Sequence, residues 1–217
     1  MNRRTLVLGI AAAAVGIFSL GAWVVQQNQP EPLAAPEVSE GTPLVRPYAP
    51  IMGEESAPVT IVEFFDPACE ACRAFHPIVK SILDEHAGQV RVVLRYAAFH
   101  DGSDEAVKIL EAARLQNVFE PVMEALLDAQ PQWANHGAPQ LDLAWDAAAE
   151  AGLDVTAARA AMDDPEIIRR LEQDTADIQV VGVRQTPTFF VDGRPLMKFG
   201  ADELREMVKL QVEAKGT

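Results

Sequence analysis

Residues Val59–Phe65 read Val-Thr-Ile-Val-Glu-Phe-Phe, a β-branched and aromatic run closed by Pro58 on one side and by Asp66–Pro67 on the other. Such a run predicts a buried strand. The residues just past its end constrain the fold most. The chain's two cysteines, Cys69 and Cys72, stand immediately after the strand and at the head of a segment with helical periodicity. Phe75, Ile78, Val79, Ile82 and Leu83 recur at that spacing and predict a helix over Ala71–His86, with Pro77 inside it as a kink. Val90–Tyr96 predicts a second strand. A strand, a helix and a strand in that order favour a parallel pair joined by a right-handed crossover.

Strand signals then stop until the C-terminal part of the chain. Ser103 is a candidate cap for a helix through about Gln116, with Val107, Leu110 and Ala113 facing inward. Pro121 suits the first turn of a short helix through Leu127. Leu141–Ala151 is alanine-rich and closes at Gly152. Asp154 caps a helix to about Met162, and Asp164–Pro165–Glu166 opens another that runs to about Val180 and stops at Gly182. Thr188–Val191 is a strand, Asp192–Gly193 a tight hairpin, Leu196–Phe199 its partner strand, and Ala201–Val212 a closing amphipathic helix. The expected architecture is an α/β domain over residues 51–217, interrupted by an all-helical insertion at about 103–181.

Two segments precede it. Arg3 and Arg4 stand before an apolar run from Thr5 to Val25 that contains no charge. About 20 such residues span a bilayer core, whereas a signal-peptide apolar region is shorter. Residues 1–25 are therefore expected to be an uncleaved membrane anchor, with the cleaved signal as the alternative. The arginines would hold the N-terminal end in the cytoplasm and place the rest of the chain outside it. Gln26–Pro50 carries Pro30, Pro32, Pro36, Pro43, Pro47 and Pro50 and predicts an extended spacer. With 18 Lys+Arg against 32 Asp+Glu, the net charge of −14 argues against nucleic acid as partner, because phosphate binding needs a basic face.

Two cysteines exclude a disulfide-rich scaffold and a four-cysteine zinc site. Their spacing, Cys-Glu-Ala-Cys, puts both sulfurs on one face of a first helical turn. Cys69 at the helix start would have its thiolate favoured by free N–H groups and by the helix dipole. Cys72, one turn in, would be the more buried and would resolve a mixed disulfide, which is the chemistry of thiol–disulfide exchange. A merely structural bridge over so short a loop would constrain little. The remaining alternative is a metal: Cys69, Cys72 and His76 share one helix face, and thiolates suit copper(I).

The segment Phe64–Cys72, the helical insertion, and Gly182–Gly193 (Gly-Val-Arg-Gln-Thr-Pro-Thr-Phe-Phe-Val-Asp-Gly) together resemble the DsbA-like thioredoxin-fold proteins. The resemblance covers roughly residues 50–212. It implies a thioredoxin fold with a helical insert and thiol–disulfide oxidoreductase activity, with a redox-active Cys69–Cys72 disulfide and no other cofactor. By resemblance, Thr186–Pro187 is the family's cis-proline loop beside the redox pair. There Thr186 would pair with an extended substrate; the alternative for Pro187 is an ordinary strand-start proline. Glu63 matches a buried glutamate beneath the pair, which would relay the proton of Cys72; the alternative is an edge-strand carboxylate facing water. The implied partners are exported proteins bearing thiols or disulfides and a membrane or periplasmic redox partner, which places the chain in a bacterial cell envelope. Disulfide formation is the first reading, reduction or isomerisation the second, and a copper- or peptide-binding envelope protein the reading from another class.

One departure bears on chemistry. Glu70–Ala71 separates the cysteines, where the strongly oxidising family member has Pro–His. A glutamate opposes a neighbouring thiolate by like charge, so reduced Cys69 is expected to be less stabilised and its disulfide a weaker oxidant. Glu70→Gln is therefore expected to lower the pKa of Cys69, read from thiolate ultraviolet absorbance; an unchanged or raised value would refute this role for Glu70.

Overall fold

A computed structural model of the chain describes residues 43–216. The expected anchor (residues 1–25) and most of the expected spacer lie outside these residues. Among the described residues, no helix is long and apolar enough to cross a membrane.

The described chain is a mixed α/β fold of seven helices and one five-stranded sheet. The elements are β1 (Ile51–Gly53), β2 (Val59–Phe65), α1 (Glu70–Glu85), β3 (Val90–Tyr96), α2 (Ser103–Leu115), α3 (Phe119–Trp133), α4 (Leu141–Glu150), α5 (Val155–Ala161), α6 (Pro165–Val181), β4 (Thr188–Val191), β5 (Arg194–Pro195) and α7 (Ala201–Lys215). The strand order is β1-β3-β2-β4-β5. Only β2 and β3 run parallel, in register from Val59 opposite Val90 to Phe65 opposite Tyr96. The β–α–β reading of residues 59–96 corresponds to β2, α1 and β3, and helices α2–α6 fill the predicted insertion.

Alternation along the central strands sorts side chains onto two buried faces. Val59, Ile61 and Phe65 of β2, with Val90, Val92, Leu94 and Tyr96 of β3, enter the larger core together with Cys72, Phe75, Val79 and Ile82 of α1. Val62, Phe64, Val93 and Phe190 point the other way, against Ile178 and Val181 of α6 and against Leu44 and Ala49. Glu63, between Ile61 and Phe65, is thereby directed to the α1 side. Arg95, between Leu94 and Tyr96, is directed to the α6 side.

Arg95 explains why the folded part starts earlier than residue 51. It is fully buried. Its guanidinium donates to Asp174 (2.8 and 3.0 Å), to Asp177 (2.6 Å) and to the carbonyls of Pro43 and Leu44 (both 2.8 Å). Arg46 adds a two-pronged pair to Asp177 at 2.6 and 2.7 Å, and the Tyr48 hydroxyl donates to Asp174 at 2.7 Å. The last part of the proline-rich stretch is thus strapped to α6 and β3 rather than extended. Composition alone misled here, because a few specific partners outweigh low hydrophobicity.

Other differences have equally local causes. Ser103 is the first helical residue, not a cap. Gly102 precedes it at φ 82°, and the Ser103 hydroxyl donates to Asp66. Helix α3 extends to Trp133, well past Leu127. Leu126, Leu127, Gln130 and Trp133 keep it buried, which outweighs the bond to the Leu127 carbonyl that Pro131, in the last turn, cannot make. The expected strand at Leu196–Phe199 is only Arg194–Pro195. Leu196 still donates to the Phe189 carbonyl, but beyond Thr188 the partner strand meets Pro187, which has no N–H to offer. The hairpin reading is matched by positive φ at Asp192 (47°) and Gly193 (80°). Strand β1 is three residues long and carried too little pattern to be predicted.

Removing one partner of a buried ionic cluster leaves its counter-charges stranded. Arg95→Leu is expected to cost about 3–5 kcal/mol in urea unfolding, whereas loss of the exposed Arg169–Glu166 pair by Arg169→Ala should leave the urea midpoint essentially unchanged.

Candidate redox site

The turn between β2 and α1 carries the site. Cys69 is the N-cap residue of α1, with extended backbone (φ −80°, ψ 120°), and Cys72 lies in the first helical turn. Both thiols are free; Cys69 is 5% exposed and Cys72 0%. The Cys69 thiol donates to the carbonyl of Thr186 at 3.2 Å, and the Asp66 N–H points at the Cys72 sulfur at 3.4 Å. The Thr186–Pro187 peptide bond is cis. The two parts of the sequence resemblance, more than a hundred positions apart, therefore meet at the sulfur of Cys69.

The electrostatics separate the two thiols. The Cys69 pKa is lowered to about 6. Hydrogen bonding from Cys72 is the largest cause; burial opposes it, and Thr186 and the backbone N–H groups of Cys72 and Ala71 add to it. These are the free N–H groups of a helix start. The Cys72 pKa is driven far upward by burial first, then by its bond to Cys69 and by the nearby charge of Glu63. One thiol is thus ionised near neutrality while the other holds its proton.

Glu63 is 4% exposed on the α1 side of β2, paired in register with Leu94 and Phe189. Burial, with a smaller contribution from the Cys69 charge, raises its pKa to about 8. It is a buried, proton-bearing acid at neutral pH, not an edge-strand carboxylate. Glu70 is exposed, and its carboxylate pairs with His136 at 3.0 Å. Its pKa is lowered by its own backbone N–H at the helix start and then by His136. Ala71 is half-buried in the same turn.

Sequence reasoning missed the residues that build the turn. Asp66 is fully buried, and one carboxylate accepts the N–H groups of Ala68 (2.9 Å), Phe99 (2.8 Å) and His100 (3.1 Å), the His100 ring Nδ1–H (2.7 Å) and the Ser103 hydroxyl. Gln130 of α3 donates to the carbonyls of Pro67 (2.8 Å) and Cys69 (2.9 Å), while its own oxygen accepts from Arg73 (2.9 Å). The one available signal was a polar residue inside an apolar helical face at Gln130; Asp66 read only as a turn residue. For the metal alternative, His76 Nε2 is buried and without a hydrogen-bond partner among the described residues, and burial lowers its pKa. Among the described residues no group of three or more His, Cys, Asp or Glu is placed to hold a metal ion.

Residues 46–210 match the family described as Thioredoxin. The Na(+)/H(+) antiporter NhaA of Herminiimonas arsenicoxydans is 32% identical over 168 residues, which cover 77% of this chain and 26% of the antiporter. The chain spans about a quarter to a third of the length of the antiporters it matches. Disulfide bond formation protein D of Bacillus subtilis (strain 168) is 25% identical over 180 residues, covering 76% of this chain and 78% of that protein. The crystal structure of a thioredoxin-like oxidoreductase from Silicibacter pomeroyi DSS-3 superposes with a TM-score of 0.69 at 29% identity, covering 81% of this chain and 98% of that one.

Burial of Glu63 has a measurable consequence. Its folded pKa of about 8 stands above the ordinary carboxylate value, so between about pH 4.5 and 8 the folded state holds a proton that the unfolded state has lost. Stability must fall as pH rises through that window. Glu63→Gln cannot titrate, so its unfolding free energy is expected to gain on the parent chain steadily from pH 5 to 8; a gap independent of pH would refute the assignment.

Proposed function

The chain belongs to the thioredoxin family, in its DsbA-like branch of thiol–disulfide oxidoreductases, and from that membership we propose an extracytoplasmic enzyme that forms disulfides in exported proteins. The observation that carries the reading is the asymmetric cysteine pair: Cys69 ionised near neutrality at a helix start, Cys72 buried and protonated behind it, and the Thr186 carbonyl 3.2 Å from the Cys69 sulfur.

In the oxidising direction a client thiolate attacks Cys69 of the Cys69–Cys72 disulfide. The S–S bond breaks, its electron pair goes to Cys72, and a client–Cys69 mixed disulfide forms. The Cys72 thiolate takes up a proton, for which Glu63 is the buried donor. A second client thiolate then attacks the client sulfur of the mixed disulfide, which releases an oxidised client and the Cys69 thiolate. Two electrons have passed to the enzyme, and a membrane or periplasmic redox partner would remove them. Cys69 is the better leaving group because its thiolate is the stabilised one, and stabilising the reduced form makes the disulfide more oxidising. That favours oxidation over reduction or isomerisation.

Thr186 and Pro187 would receive the client. Among the described residues no strand pairs with Thr186, so an extended client segment would find room there as an added strand. Residues 5–25 would tether the domain to the membrane. The redox-active disulfide is the only cofactor this mechanism needs.

The test is oxidation of reduced, unfolded RNase in a defined glutathione buffer, run beside rearrangement of scrambled RNase. Oxidation should dominate, survive chelation, and fall about 100-fold or more in Cys69→Ala, since the sulfur that the client thiolate attacks is lost. With scrambled RNase, whose disulfides the Cys69 thiolate can attack, Cys72→Ala should accumulate the mixed disulfide, because no second thiol is left to resolve it. Stoichiometric copper(I) binding without exchange would overturn the proposal in favour of a binding protein.

A further inference from the structure

Two histidines outside the cysteine motif, one at each end of the first half of the helical insertion, reach the rim of the redox turn. His100 follows β3, and its ring Nδ1 lies 2.7 Å from Asp66. His136 follows α3, and its Nε2 lies 3.0 Å from Glu70. The two rings are 6.1 Å apart, and the loops that carry them are joined by the Gly137 N–H to the Asp101 carboxylate at 3.1 Å. The carboxylates they meet are the two that flank Cys69 in sequence.

Asp66 is the more consequential. Its backbone accepts the Cys69 N–H at 3.1 Å and offers its own N–H to the Cys72 sulfur, so its side chain is fixed against the turn that holds both sulfurs. Five donors surround that side chain, a pattern suited to an ionised carboxylate, which accepts only. Four of the five are neutral; His100 alone can bring a full positive charge. A buried negative charge at this place would oppose the formation of a thiolate at Cys69 unless it were cancelled.

We propose that His100 is a positioning residue for the redox pair, cancelling the buried Asp66 charge so that Cys69 can ionise, and that His136 does the same, more weakly, for Glu70. The inference rests on the reading of Cys69–Cys72 as the redox pair. The weaker role of His136 follows from exposure: its side chain is 73% exposed and that of Glu70 57%, against 29% and 0% for His100 and Asp66. Solvent and salt screen the outer pair and spare the inner one. Burial works against charging His100, but its bond to Asp66 and then the charges of Asp66, Cys69 and Glu70 leave its pKa raised. The groups facing it are Asp66, Cys69 and Glu70 from the redox turn, Ser103 and Asp101 from its own side, and His136 across the gap.

The experiment titrates the Cys69 thiolate by ultraviolet absorbance in the full chain. His100→Gln should raise the Cys69 pKa by about half to one unit, a three- to tenfold loss of ionisation. The glutathione equilibrium should move by the same factor toward a weaker oxidant, about 15–30 mV. His136→Gln should give a smaller shift that vanishes in high salt. His100→Lys, which keeps a charge at all relevant pH, should restore a low Cys69 pKa; a purely structural histidine would not be replaced so. The reciprocal measurement needs no variant. By linkage the His100 ring, followed by NMR, must titrate at higher pH in the reduced than in the oxidised parent chain. Identical His100 titration in the two redox states, or equal Cys69 titration in the parent and His100→Gln, would overturn the proposal. A parent chain that fails to oxidise RNase would instead overturn the enzymatic reading on which it rests.

Discussion

The structure depends on how the turn between β2 and α1 is satisfied. A strand that ends in the core and a helix that begins there leave free N–H and C=O groups where water cannot reach them. Asp66 and Gln130 take up most of that demand. Asp66 gathers donors from the turn itself, from residues 99 and 100, and from the start of α2. Gln130 covers the Pro67 and Cys69 carbonyls from α3. The helical insertion is therefore tied to the reactive turn by hydrogen bonds that only it can supply. Cys69 keeps its place as N-cap without a side-chain cap of its own, and this leaves its sulfur free for chemistry.

Two charged residues inside the central strands show two solutions to burial. Arg95 and Glu63 sit on neighbouring parallel strands, one position out of register with each other, and point to opposite faces. Arg95 cannot shed its proton, so its face supplies two aspartates and two carbonyls. Glu63 can hold a proton, so its face supplies no counter-charge and its pKa rises to about 8. The first solution holds the chain's N-terminal strap in place. The second leaves a proton on a buried carboxyl whose pKa lies near neutrality.

Legibility in the sequence tracks the range of the interaction. Local pattern sufficed for β2, α1, β3, the Asp192–Gly193 hairpin and the helix starts at Asp154 and Asp164, whose side chains accept from Ala157 and Glu166 as capping residues do. It also placed the two cysteines at a helix start, where Cys69 is the N-cap and Cys72 lies one turn in. It failed where a distant partner decides the outcome. Residues 43–50 look like spacer until Arg95, Asp174 and Asp177 are brought to them. Ser103 looks like a cap until Asp66 claims its hydroxyl. His100 and His136 lie far apart in the sequence, and only the fold brings both of them to the redox turn.

The same distinction governs charge. The surplus of acid over base gives the chain a net charge of −14, which on its own would disfavour a thiolate. Screening limits that effect, since exposed charges beyond roughly 8–10 Å are largely damped at physiological ionic strength. The charges that matter are those the fold places against Cys69, and there the two flanking carboxylates each face a histidine. The nearest contributions that remain are hydrogen bonds from Cys72, Thr186 and the first backbone N–H groups of α1, all of which favour ionisation. An acidic protein can therefore carry a cysteine with a pKa of about 6, provided local pairing removes the negative neighbours and the helix start supplies the donors.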